Sequence, residues 1–149
     1  MTTGQVISML NDLIQTSLDG ELFLRTAGEA AEDSELKGFF SEYADERAAF
    51  TAELEREVER LGGTPEPPGP VAGHAEAVSA TVKMGLASVS VDRLLDTAEM
   101  GEDAAERAYE KALQADLPAG TREVIEGQYH SIRRAHDHLR SLRHGRRAA

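Results

Sequence analysis

Apolar residues return along this chain in steps of three and four, the spacing of one face of an α-helix. Val6, Leu10, Leu13, Ser17, Glu21, Leu24 and Gly28 form the first stripe and predict a helix over about 3–31. Asp33 follows as an N-cap, because its carboxylate can accept from the free amides of the next helix. That helix, over about 34–61, turns Leu36, Phe39, Tyr43, Glu46, Phe50, Leu54 and Leu61 inward and stops at Gly62-Gly63. The run Thr64-Pro65-Glu66-Pro67-Pro68-Gly69-Pro70 excludes helix, since each proline lacks a donor and crowds the preceding turn. Val71, Ala75, Val78, Val82 and Leu86 give a weaker pattern and predict a short helix over 71–87. Leu95, Ala98, Glu102, Ala105, Tyr109 and Ala112 predict a helix over 91–115. Ile125, Gln128, Ile132, Ala135, His136, Leu139 and Leu142 predict the last one, over 119–144, with Pro118 placed to open it. No segment alternates as a strand does.

The lengths of the connections then predict an arrangement. Tight turns pair the first long helix with the second, and the third with the fourth, each antiparallel. Between the pairs lie about thirty residues, and the short helix among them is about 24 Å long at 1.5 Å per residue. That matches the length of a bundle, so this segment can return the chain to the opposite end. The expectation is an all-α, single-domain protein over 1–149, a ferritin-like four-helix bundle with one long crossover containing a short extra helix.

Composition narrows the chemistry. The chain has no cysteine, which excludes disulfides, thiolate metal sites and cysteine nucleophiles. The start of the chain has no basic apolar leader, and no stretch approaches a bilayer span, so a cytoplasmic protein without membrane contact is expected. A net charge of −11 argues against nucleic acid as a partner. Arg133, Arg134, Arg140, Arg143, Arg146 and Arg147 crowd the last helix and read either as a basic docking tail for nucleic acid or an anionic partner, or, favoured because no aromatic residues interleave with them, as cations that complement the helix dipole and offset acidic neighbours. Tyr43 and Tyr109 read as core rings, Met84 and Met100 as core filling, and His130 and His138 as solvated. His74, at the start of the crossover, reads as exposed or capping.

Three inward stripes carry a glutamate where an apolar residue belongs: Glu21, Glu46 and Glu102. Counted from the turn at Asp33 and from a third helix starting near Ser90, their depths agree within roughly 3 Å. Glu99 flanks the third stripe, and His136 is expected about level with it, with Ser131 opposite Glu102. Carboxylates converging at one depth are costly unless something compensates them. One solution is divalent iron or manganese, held by Glu21, Glu46, Glu99, Glu102 and His136, since both metals take oxygen and imidazole donors. The other is a buried salt-bridge network in which Arg47 and Arg133 serve the same carboxylates. The paired Glu-x-x-His motifs of a complete di-iron site are missing: Ala49 and Arg133 stand where a histidine and a glutamate belong. Both solutions stay open.

Asn11-Asp12-Leu13-Ile14 with Asp19-Gly20-Glu21, then Glu35-Leu36-Lys37, Glu46-Arg47, Glu53-Leu54 and Leu61-Gly62-Gly63, is similar to the first two helices of an uncharacterised bacterial four-helix-bundle family. Glu99 to Asp103 with Tyr109, and Ile132 to Asp137, resemble its remaining helices. The resemblance implies a ferritin-like domain and kinship with ferritins, bacterioferritins and rubrerythrins, without implying their activity. The expected function is an iron- or manganese-binding bundle with at most weak oxidase or peroxide-consuming activity. The alternative is a non-enzymatic stress or assembly protein built on the salt-bridge network. A homodimer is expected in either case.

Overall fold

In the computed structural model, residues 1–67 and 90–148 are described, with side chains up to Gly145. They form four helices: α1 (Thr3–Ala30), α2 (Ser34–Arg60), α3 (Val91–Leu113) and α4 (Ala119–Ala148). The short helix expected over 71–87 lies outside the described residues.

The termini follow from local chemistry. Thr2 and Gln5 close a capping box on α1, each side chain bonding the other's backbone amide at 3.1 and 2.8 Å. Asp33 accepts from the amides of Glu35 and Leu36 at 2.8 and 3.1 Å, and Ser90 accepts from Arg93 at 3.2 Å. At the end of α2, Gly62 adopts φ 87°. Its amide donates to Glu59 O, while that of Gly63 donates to Val58 O. These two bonds stop the helix and require a left-handed residue.

α1 packs along α2 and α3 along α4; α1 also adjoins α3 and α2 adjoins α4, leaving α2 and α3 diagonally opposed. Side-chain pairs fix the directions. Glu57 meets Thr121 and Tyr43 meets His138, so α2 and α4 are antiparallel. Tyr109 meets Gln128 and Asp96 meets Arg143, so α3 and α4 are antiparallel too. α2 and α3 therefore run parallel, and the chain between them must travel the length of the bundle. Its start lies beside the first half of α1, opposite the Asp33 turn: Glu66 N donates to Asn11 Oδ1 at 3.0 Å, and Gln15 Nε2 to Pro67 O at 3.5 Å. This is the long-crossover connectivity rather than an up-down bundle with short loops. No described helix is long and apolar enough to cross a membrane.

The core has two apolar halves. Leu24, Ala27, Leu36, Phe39, Phe40, Leu95 and Leu139 fill the end near Asp33, and Leu10, Ile14, Leu54, Val58, Tyr109, Ile125 and Ile132 fill the other. Each buried Leu, Ile or Phe contributes about 1.5–3 kcal/mol by leaving water. Between the halves lies a layer of buried polar residues, Ser17, Arg47, Glu102 and His136. Tyr109, expected as a core ring, donates its hydroxyl to Gln128 Oε1 at 2.6 Å, and burial pushes its pKa up to about 12. Met100, expected as core filling, is 61% exposed, because two residues past Ala98 is about 200° around α3, on the face turned away from the core.

Candidate functional site

The third and fourth helices present complementary ladders. Asp96, Glu99, Asp103 and Glu106 recur at steps of three and four along α3, and Arg133, His136, Arg140 and Arg143 recur in the same way along α4. Because the helices are antiparallel, acids meet bases in order. Arg133 Nε stands 3.8 Å from Glu106, Arg140 Nε stands 3.8 Å from Glu99, and the Arg143 guanidinium bridges Asp96 and Glu99. Histidine occupies the one rung where a fourth arginine would continue the ladder.

His136 is only 7% exposed, and carboxylates face it on both sides. Nδ1 lies 3.0 Å from Glu106 Oε2, while Nε2 lies 3.2 Å from Asp103 Oδ1 and 3.8 Å from Glu99 Oε1. Nε2 is buried and makes no well-directed hydrogen bond among the described residues, despite the short separation from Asp103. If Nε2 carries a proton, a buried donor goes unanswered, which costs about 1–3 kcal/mol. If it does not, its lone pair faces two carboxylate oxygens. A cation between them removes either difficulty. Donors about 2.1 Å from one cation sit about 3 Å apart at a right angle and about 4.2 Å apart in line, and both separations from Nε2 fall in that range. One donor atom each from Asp103, Glu106 and His136 also lie within 4.8 Å of one another.

Deeper in the same layer, Arg47 Nη2 donates to Glu102 Oε2 at 2.6 Å, with both side chains almost wholly buried. Gly20 makes room for this arginine, since a Cβ there would stand 3.3 Å from Arg47 Nη1. Burial pushes the Glu102 carboxyl up, against the opposing pull of Arg47 and then His136.

A family model described as a domain of unknown function, DUF2383, matches residues 5–115, well over half of the chain. The chain belongs to that family. The match spans α1, α2 and α3 and so includes Glu99, Glu102, Asp103 and Glu106; it ends before α4 and His136. No curated protein matches the chain.

The bundle of this DUF2383 chain places the expected site residues unequally. Glu102 and His136 are buried in the central layer, and Glu99 stands beside His136. Glu46 is half-buried, with its carboxyl pushed up first by burial and pulled back by Arg47 and Arg134; Arg47, one residue on, is the one that turns inward. Glu21 bonds Arg25 at 2.9 Å on the flank, and Arg25 reaches Asp45. Among the described residues, Glu21, Glu46 and Glu102 belong to no set of three convergent donors. Arg133 is exposed and touches Glu106 rather than the core carboxylates, so of the two expected counter-cations only Arg47 is buried.

Asp103 and Glu106 were missed, for a reason of register. Counting heights from the turn at Leu117 set Ser131 opposite Glu102. The connection between Leu113 and Ala119 uses residues that advance along neither helix, and His136 comes down to the level of Asp103 and Glu106. The signal was the matched three-and-four spacing of acids on α3 and bases on α4. His138, expected as solvated, is exposed yet packs edge-on against Phe39 and bonds the Tyr43 hydroxyl at 3.1 Å.

Proposed function

We propose that this protein binds one divalent metal ion, iron or manganese, at the α3–α4 seam, with His136 Nε2 and Asp103 as ligands. The observation that carries the reading is the buried His136 Nε2, held against carboxylates with no hydrogen bond of its own. Glu106, 3.0 Å from Nδ1, accepts the ring proton there and so leaves the Nε2 lone pair for the cation, a common way of orienting a metal-binding imidazole. Oxygen and imidazole donors without sulfur suit Fe²⁺ and Mn²⁺. Water completes the coordination, and the activity to look for is at most weak oxidation of Fe²⁺ or consumption of peroxide.

Of the carboxylates expected from sequence, Glu99 remains within reach of the cation, while Glu21, Glu46 and Glu102 are proposed to act on the site only through their charge. Kinship with ferritins and rubrerythrins rests on the long-crossover connectivity. The setting proposed with it is a cytoplasmic homodimer, in keeping with a cysteine-free chain.

The test is thermal unfolding of the full chain with and without added Mn²⁺. Mass action predicts a gain of about 2.7 kcal/mol at a hundredfold excess over Kd. His136→Ala and Asp103→Asn should abolish the gain, whereas Glu21→Gln and Glu46→Gln should keep it. A wild type indifferent to Mn²⁺, Fe²⁺ and chelator sinks the proposal.

A second reading has one observation in its favour. The buried Arg47–Glu102 pair already neutralises the central carboxylate. A non-enzymatic stress or assembly protein, in which the polar layer is purely an ion-pair network, would have such a pair and no response to metal.

A further inference from the structure

The acidic face of α3 offers the cation at His136 a third ligand, a second carboxylate, that it does not fully have. Glu99 Oε1 lies 3.8 Å from His136 Nε2, within the spread of donors around a single ion. Yet the same carboxylate is engaged by two arginines: Arg140 approaches Oε1 at 3.8 Å, and Arg143 pairs with Oε2. Arg143 is largely covered and also donates to Asp96, so its guanidinium is fixed by two acids at once. Arg140 is far more exposed and longer in its contact, so Arg143 is the stronger competitor.

We propose that Arg143 sets the affinity of the metal site by withholding Glu99 from the cation at His136. This rests on the metal-binding reading above. A fixed guanidinium beside the carboxylate places a positive charge next to the incoming ion, and by holding Oε2 it keeps Oε1 from closing on the cation as a third ligand. Cation and arginine therefore compete for one carboxylate. By linkage, each weakens the hold of the other on Glu99. The native site is the two-ligand, water-rich arrangement, and releasing Glu99 converts it into a three-ligand one.

The experiment is Mn²⁺ titration of the full chain, followed by calorimetry and by the loss of the free-ion EPR signal. Four proteins are compared: wild type, Arg143→Gln, Glu99→Gln and the double variant. Arg143→Gln should bind Mn²⁺ tighter by on the order of tenfold, the usual scale for partners that act on a metal through its ligands. The double variant should lose that gain, because the arginine acts through Glu99. Arg143→Met, which keeps the apolar stem, replaces Arg143→Gln if the latter melts early. Binding by the wild type with no tightening in either Arg143 variant overturns this proposal alone, as does tightening that survives Glu99→Gln. Binding by none of the proteins overturns it together with the reading on which it rests.

Discussion

At the scale of single residues, the Arg47–Glu102 pair sets a large local stake. Removing one partner of a buried ion pair leaves the other charge stranded, at a cost of about 3–5 kcal/mol, whereas replacing both with apolar groups is often neutral. Arg47→Ala should therefore be strongly destabilising in urea, and Arg47→Met combined with Glu102→Leu should recover most of the loss. An Arg47→Ala protein as stable as wild type would show that Glu102 is not held as a buried anion. Glu57 provides a pH signature at the far end of the bundle. Arg60 bonds it through Nε at 2.9 Å and Thr121 at 2.7 Å, which holds its carboxyl below the ordinary 4.5, with the Arg60 bond as the largest cause. A depressed folded-state pKa means stability that is present above about 4.5 and lost as pH falls through the folded value. Wild-type Tm should thus drop on acidification below 4.5, and the drop should be smaller in Glu57→Gln; equal acid sensitivity would argue against these bonds.

Among the helices and their ends, the sequence was most legible where one residue performs one local task. Asp33 as a cap and Gly62-Gly63 as a stop follow from backbone chemistry alone, and both occur. Because Gly62 is left-handed, Gly62→Ala should cost about 1–2 kcal/mol of unfolding free energy by denaturant titration. No change would mean that the α2 terminus rearranges freely. Facing was less legible than depth. The polar layer lies at the height expected for Glu21, Glu46 and Glu102, but one residue of rotation on α2 puts Arg47 inside and Glu46 on the flank. A step of one residue turns a side chain by about 100° around a helix, and Tyr43 and Phe50 can be joined by three then four residues through Glu46 or by four then three through Arg47, so the stripe alone does not choose between them. The end of α4 differs from expectation in length: the helix runs to Ala148 rather than to about 144, while Arg143 pairs with Asp96 and Glu99 on the acidic neighbouring helix.

For the molecule as a whole, connectivity was readable because it depends on lengths: tight turns within each pair, and thirty positions between them. The candidate centre was only half readable, because it depends on the register of α4 against α3 across a short irregular connection. His136 and Glu99 stand out as candidates by their place in the helical stripes; Asp103 and Glu106 become visible only once the two ladders are aligned. The central claim is that a divalent cation binds His136 through Nε2. Pulsed EPR of the Mn²⁺-loaded full chain tests it most directly, since a directly bound imidazole couples its nitrogen to the electron spin. The account predicts a nitrogen coupling from a single imidazole, lost in His136→Gln and retained in His130→Gln. A Mn²⁺ complex without nitrogen coupling, or one whose coupling survives His136→Gln, would contradict it.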